Sequence, residues 1–315
     1  MNLSINEKFS GLLFGYAIGD ALGLGTEFMT KKEIKQRYPE GLHDYSQIIR
    51  DAHRSQWEQG EWSNDTETIL LQIQSMIDNK GVDFIDYAHR LKEWYLSDPT
   101  DITMNLRINL SQPEYSSKPF ESARHAWSGR IKFEPTSECL GRAMIASVWD
   151  SANVRENVLK TCRLTHPESR CEASCVVFGK MTNSLFWEDK EATYEELIAI
   201  AKEYNKDVVR FIEIARHGSL ADLELDDEDT LWYVRKALSA ALWALWHCKS
   251  VEEGVDKVIA QGGDADTNAC LAGGLLGIKY GFSSIPDHLI NGLLGRQKLH
   301  DISDKFTKLL TEKFC

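Results

Sequence analysis

Gly262-Gly-Asp-Ala-Asp-Thr-Asn-Ala-Cys-Leu-Ala-Gly-Gly-Leu-Leu-Gly-Ile-Lys-Tyr-Gly281 carries the two features that decide how this chain folds. Its later part, residues 268–280, reads as a helix of small residues in which Gly273, Gly277 and Gly281 recur at intervals of four. Near the other end of the chain Gly11, Gly15, Gly19 and Gly23 recur at the same interval. An interior helical glycine costs about 1 kcal/mol relative to alanine, so something must offset several of them per helix. The spacing puts them on one helix face, where a second helix backbone or a ligand can approach closely. In a membrane this pattern marks a helix dimer; here it predicts tight packing in a soluble core.

The early part of the same stretch packs two carboxylates and a hydroxyl into Asp264-Ala-Asp-Thr267. Hard oxygen donors in such a cluster suit Mg²⁺ or Mn²⁺ rather than zinc. A second oxygen-rich knot, Ser63-Asn-Asp-Thr66, opens another predicted helix far upstream. Taken singly, each knot has a structural explanation. Asn64 reads as an N-cap with Glu67 completing a capping box. Asp264 reads as the cap of the last long helix, with Asp266 favoured by the dipole. Taken together, Asp-Thr repeats at two helix starts, and Gly262-Gly263 lets the backbone turn before one of them. That concentration of carboxylate predicts one cation site built from both ends of the chain. Asp20 and Glu27, at or near the end of the first glycine-striped helix, join the candidates.

The 315 residues are 43% hydrophobic and 27% charged, the composition of a soluble globular protein. No repeat, low-complexity tract or linker divides them, so one domain over residues 1–315 is expected. A net charge of −12 argues against a general nucleic-acid binder, which presents a basic face. The seven cysteines, at 139, 162, 171, 175, 248, 270 and 315, contain no CxxC pair. They read as reduced thiols of a cytoplasmic protein, with no zinc site expected. No leader sequence is evident, and Asp20 interrupts the apolar stretch 11–24, so no membrane span is expected.

Helical periodicity dominates and alternating strands are absent, which predicts an all-α fold. Helices are expected over 9–23, 66–78, 82–96, 139–149, 155–165, 172–186, 194–204, 231–247, 251–259, 268–280 and 287–294. Residues 98–135, with Pro99, Pro113, Pro119 and Gly129, read as a long loop of the kind that forms binding lids. The acidic run 219–230 reads as a solvated connector.

Several motifs, in order along most of the chain, resemble the ADP-ribosylglycohydrolase family. Ser10-Gly-Leu-Leu-Phe-Gly-Tyr-Ala-Ile-Gly-Asp-Ala-Leu-Gly23 followed by Thr26-Glu-Phe28 looks like its opening helix. Trp62-Ser-Asn-Asp-Thr-Glu67 looks like its first metal motif, and Leu164-Thr-His-Pro167 with Cys171-Glu-Ala-Ser174 looks like its central His-Pro segment. Ala237-Leu-Ser-Ala-Ala-Leu-Trp243 and Gly262-Gly-Asp-Ala-Asp-Thr267 look like its closing signature, the most specific of the set. The resemblance implies a single compact orthogonal helical bundle that holds two Mg²⁺ or Mn²⁺ ions. It implies hydrolysis of the bond between the ribose C1″ of ADP-ribose and an acceptor on a protein or small molecule. Ser63, Asn64, Asp65, Asp264, Asp266 and Thr267 stand at the positions of metal ligands. Asp65, Glu27 and Asp266 stand as catalytic carboxylates. Glu27, Gly262, Gly263, Arg142 and His166 stand at the substrate, with backbone amides of the glycine-lined helix ends near the diphosphate.

Two departures bear on that reading. Asn64 replaces the family's usual aspartate and removes one negative charge, which predicts weaker binding of one of the two ions. Thr136-Ser-Glu-Cys-Leu-Gly-Arg-Ala-Met144 lacks the family's Asn-Gly-rich turn and keeps only Arg142 and the apolar helix, which predicts a reshaped nucleotide pocket. Two rivals follow: a non-catalytic ADP-ribose-binding or structural relative, and a hydrolase of another ribosylated small molecule. His166 reads either as catalytic or as a satisfied histidine that orients the turn before Pro167. Trp57 and Trp62 read as stacking partners or as wall packing.

Overall fold

The computed structural model describes residues 3–128 and 135–314. Sixteen α-helices account for its order among those residues: α1 (Ile5–Gly23), α2 (Lys31–Arg37), α3 (Asn64–Asp78), α4 (Phe84–Leu96), α5 (Met104–Leu110), α6 (Pro119–Ser128), α7 (Cys139–Trp149) and α8 (Val154–Arg163) come first. Then follow α9 (Ser169–Glu188), α10 (Tyr194–Tyr204), α11 (Asp207–His217), α12 (Val234–His247), α13 (Val251–Ile259), α14 (Ala265–Tyr280), α15 (Asp287–Gly292) and α16 (Arg296–Phe314). No strand is present among the described residues beyond an isolated bridge between Thr136 and Tyr233.

The centre is the antiparallel pair α1 and α14, and the glycine stripes are its seam. A Cβ on Gly11 would lie 2.1 Å from the Gly277 carbonyl oxygen, one on Gly15 2.2 Å from that of Gly273, and one on Gly19 2.2 Å from that of Ala269. Each step of four along α1 is therefore met by a step of four back along α14. The last step brings Gly23 against Asp266, whose Cα would sit 2.3 Å from an added Cβ. The same register that packs the core delivers the carboxylates of α14 to the end of α1. Both helices are buried nearly all round, as expected for helices apolar on every face.

The other helices wrap this pair. α16 lies along α1 through the ring contact of Phe9 with Phe306 (4.6 Å between centroids) and the Ser10–Ser303 hydroxyl pair at 2.8 Å. Side-chain caps set many helix starts: Ser4 accepts from the Glu7 amide, and Thr193 with Glu196 forms a reciprocal box. Beside the main core, Tyr87, Leu91, Leu106, Leu110 and Tyr115 form a smaller apolar cluster.

That cluster corrects the reading of 98–135 as a loop. α5 buries Leu106 and Leu110 one turn apart, and α6 opens at Pro119, a residue suited to the first helical position because its missing N–H is not needed there. Read from sequence, the prolines concealed both helices; Gly129 lies outside the described residues. Nor did the sequence reading place α2, α11 and α16. The acidic run is also more than a solvated connector. Leu220, Leu223 and Leu225 are buried in it, and Asp226 pairs with Lys31 at 2.7 Å.

Candidate active site

Asp20, near the end of α1, builds the first knot. One of its oxygens accepts from the Ser63 amide (2.9 Å), and the other accepts from the Thr66 amide (2.9 Å) and hydroxyl (2.7 Å). The orphan amides at the start of α3 are thus satisfied by a carboxylate from α1. Ser63, not Asn64, is the N-cap, accepting from the Asp65 amide at 3.2 Å. The expected Asn64–Glu67 capping box is replaced by this arrangement, and Glu67 instead accepts from the Trp94 indole at 2.7 Å.

The second knot faces the first. The Thr267 hydroxyl lies 2.8 Å from an Asp65 oxygen and 3.1 Å from an Asp264 oxygen, so it bridges the two helix starts. The other Asp264 oxygen accepts from the Ser137 hydroxyl at 2.8 Å. Glu27, in the turn after α1, is held by His53 Nε2 at 2.7 Å. Arg54 clamps that turn by donating to the carbonyls of Gly25 (2.9 Å) and Glu27 (2.5 Å). Glu27, Asp264 and Asp266 each offer an oxygen within 4.8 Å of the others. The Asn64 amide nitrogen donates to Asp101. Two buried oxygens, Asp266 Oδ1 and Asn64 Oδ1, have no hydrogen-bond partner.

Burial dominates the electrostatics. It pushes Asp20 up to about 6 and Asp264 up to about 7, against the hydrogen bonds of Thr66 and Ser137. Asp65 and Asp266 rise well above the carboxylate range, first by burial and then by repulsion from their carboxylate neighbours. Glu27 and Asp101 rise for the same first reason. Carboxylates this close do not all ionise in a poorly solvated place without a compensating cation. Together with two orphaned oxygens, the donor set fits a hard divalent ion.

The sequence profile of the ADP-ribosylglycohydrolase family matches residues 1–314. The chain belongs to this family. It is 27% identical over 294 residues to the ADP-ribosyl-[dinitrogen reductase] glycohydrolase of Rhodospirillum rubrum, covering 92% of this chain and 91% of that protein. It is 25% identical over 319 residues to the ADP-ribosylarginine hydrolase Tri1 of Serratia proteamaculans, covering 98% and 81%. A solved structure of an ADP-ribosylglycohydrolase-related protein complex shares the fold with a TM-score of 0.75, at 22% identity over 98% of this chain and 99% of that one.

Four residues expected at the substrate make their observed contacts within the protein. Gly262 and Gly263 have φ of +71° and +67°, and a Cβ on them would strike the Met29 and Leu225 carbonyl oxygens at 1.9 and 1.8 Å. Their close approach is to the protein itself: the Gly263 amide donates to Met29 and its carbonyl accepts from Phe28. Arg142 and His166 are wholly buried. Arg142 donates to the Glu138 carbonyl (3.2 Å) and the Thr165 hydroxyl (2.7 Å). His166 lies 3.1 Å from Glu138, 3.0 Å from the Thr136 hydroxyl and 2.8 Å from the Thr165 hydroxyl. Both hold the turn that presents Ser137 to Asp264. Trp57 stands edge-on to His53 (5.1 Å) and Trp62 covers Gly295.

Asp101, Ser137 and the pairing of His53 with Glu27 were missed in the sequence. Asp101 lies in Asp98-Pro-Thr-Asp-Ile-Thr103, within the segment read as a lid. A polar knot just before the Thr103 cap of α5 was the available signal.

The raised carboxyl groups set a pH dependence. A carboxyl whose pKa is higher in the folded state binds protons there that the unfolded chain has lost. Stability therefore falls as pH rises from about 4 through the folded values of about 6 and 7. Asp51 and Glu138, each held at about 2, change stability only at lower pH. His43 and His53, both raised by hydrogen-bonded carboxylate or carbonyl partners, act in the same sense as the site. Chelated protein is expected to melt several degrees lower at about pH 7.5 than at about pH 5. Saturating Mn²⁺ is expected to cancel most of that fall. A melting profile with the same slope with and without Mn²⁺ would refute the carboxylate assignment.

Proposed function

We propose that this chain is a metal-dependent hydrolase that cleaves the glycosidic bond between ADP-ribose and an acceptor, acting as one domain across residues 1–315. The observation that carries this reading is the convergence of buried, pKa-raised carboxylates from three chain segments around unpartnered oxygens. Ser63, Asn64, Asp65, Asp264, Asp266 and Thr267 would hold Mg²⁺ or Mn²⁺, as two ions of unequal affinity. When bound, such ions supply charge compensation and Lewis-acid polarisation.

The chain's own groups do the rest. Asp20 and Thr267 fix the two helix starts against each other. Glu27 is the group we assign to take a proton from the attacking water, because His53 both anchors it and, with 29% of its side chain exposed, leads from it toward solvent. The C1″–acceptor bond breaks with oxocarbenium character as the water oxygen bonds to C1″, and the departing acceptor takes up the proton that Glu27 removed; Asp65 and Asp266 would hold the ions. The rim beside Glu27 is aromatic. Phe28 and Trp232 are 51% and 46% exposed with centroids 6.3 Å apart, and Phe28 also lies 5.2 Å from His53. That rim offers a face to a flat group of the substrate. The acidity of site and surface favours a cationic acceptor, so an arginine-linked N-glycosidic bond ranks first. An ADP-ribosylated protein or small molecule is the partner class, and no helix among the described residues is long and apolar enough to cross a membrane.

Asn64 does not argue for a decayed site. Its amide nitrogen is turned to Asp101, which leaves its carbonyl oxygen unpartnered and places a carboxylate beside it. The test is release of free ADP-ribose from arginine-linked and serine-linked substrates by wild type and Asn64→Asp. Release from the arginine-linked substrate by wild type, changed less than about tenfold by the substitution, supports an asparagine tuned to its site. Binding of ADP-ribose by folded protein without release from either substrate would make the chain a binding relative instead.

A further inference from the structure

Four of the seven cysteines converge although the sequence contains no CxxC pair. Cys139 opens α7, Cys162 lies in the last turn of α8, and Cys171 and Cys175 lie one turn apart on the same face of α9. All four are buried and none forms a disulfide. The sulfurs of Cys139, Cys162 and Cys175 lie within 4.8 Å of one another. Cys171 completes the group, because Cys139 faces Cys162, Cys171 and Cys175 alike, and the sulfurs of Cys139 and Cys171 both lie 3.8 Å from the Thr136 carbonyl. We propose that Cys139, Cys162, Cys171 and Cys175 form a structural Zn²⁺ site, separate from the carboxylate site.

The geometry favours a metal over a disulfide. Around zinc, with Zn–S of about 2.3 Å, tetrahedral sulfurs lie about 3.8 Å apart, so small side-chain rotations close this group. A disulfide would join two sulfurs and leave two others buried beside it. The surroundings suit the negative charge of thiolates. Cys139 and Cys171 sit in the first turns of α7 and α9, whose N-termini are electropositive. Arg142, one turn after Cys139, is wholly buried, donates to the Glu138 carbonyl and the Thr165 hydroxyl, lies 3.4 Å from His166 Nδ1, and has no acceptor for Nη1 among the described residues. Four thiol protons leave as the ion binds, so assembly belongs to folding rather than to later capture. The consequence reaches the active site. The ion would lock α7, α8 and α9 together beneath the turn Thr136-Ser137-Glu138, which carries the hydroxyl that donates to Asp264.

The test is metal content of the full chain, purified reduced and anaerobically after expression with zinc. About one zinc per chain is expected, resistant to chelator in the native protein and released by a mercurial thiol reagent. The Asp264→Ala, Asp266→Ala variant is expected to keep that zinc, and Cys139→Ala, Cys175→Ala to lose at least nine-tenths of it. Because the cysteine variant could fail to fold, wild type refolded with Co²⁺ provides an independent reading. It is expected to show the sulfur-to-cobalt charge-transfer bands of a tetrahedral thiolate site. Zinc below about a tenth of an equivalent, without those bands, overturns the proposal. So does zinc that disappears with the aspartates. Finding fewer than seven free thiols in the denatured, unreduced, zinc-free chain would also overturn it, in favour of a disulfide.

Discussion

Replacing Asp266 with alanine is expected to lower kcat by at least about a thousandfold, with little change in melting temperature measured in chelator. The activity loss follows from position. Asp266 is delivered by the glycine seam, lies with Glu27 and Asp264 inside 4.8 Å, and keeps a buried oxygen without a partner. An oxygen in that state contributes nothing to the fold and costs desolvation, so its use is in binding. Losing a transition-state electrostatic group of this kind commonly costs about 10²–10³ in rate, and loss of the ion as well adds to it. Stability changes little, unlike in most buried substitutions, because relief of repulsion with Asp65 and Asp264 when no metal is present offsets the lost packing. Steady-state rates beside melting curves in chelator check both halves. Activity within tenfold of wild type would remove Asp266 from the site.

Gly15→Ala and Gly273→Ala are expected to leave little soluble folded protein. In an ordinary helix interior this substitution stabilises by about 1 kcal/mol. Here the added methyl meets backbone, 2.2 Å from the Gly273 carbonyl oxygen in one case and 2.1 Å from that of Gly15 in the other. A backbone carbonyl in a packed helix has no rotamer by which to yield, so α1 and α14 must separate. Separation uncovers the core and also pulls Asp266 away from Asp20. Total stabilities of about 5–15 kcal/mol do not survive such a change. Gly81→Ala is the control, since the nearest atom to its added Cβ is 3.8 Å away. Soluble yield and the urea midpoint of the three variants decide it, and a stabilised Gly15→Ala would refute the seam.

The seam was legible in the sequence because its signal is local. Glycines at intervals of four mark a helix face open to close approach, and the Asp-Thr pairs at two helix starts announce themselves within a few residues. What remained hidden depends on approach in space. Asp101 reaches Asn64 from a segment broken by prolines, and Ser137 reaches Asp264 across most of the fold. The cap differs for the same reason: Ser63 rather than Asn64 caps α3, and Asp20, distant in sequence, accepts from the Ser63 and Thr66 amides. α16 had a readable stripe in Leu299, Ile302, Phe306 and Leu310. Its low overall hydrophobicity concealed it. Of the four cysteines only Cys171 and Cys175 are close in sequence, and three helices bring the others to them. Arg142 and His166 are recognisable in the sequence, but their complete burial is visible only in the fold.

The central claim is that a divalent ion at the paired knots makes this chain a hydrolase of ADP-ribosyl bonds. Its most direct test is the rate of ADP-ribose release from ADP-ribosyl-arginine by chelator-treated protein as Mn²⁺ is added back, with the Asp264→Ala, Asp266→Ala variant alongside. The account predicts negligible release without metal, saturable recovery with Mn²⁺, and no recovery in the variant. Release that persists in chelator, or that the variant regains with Mn²⁺, would contradict it.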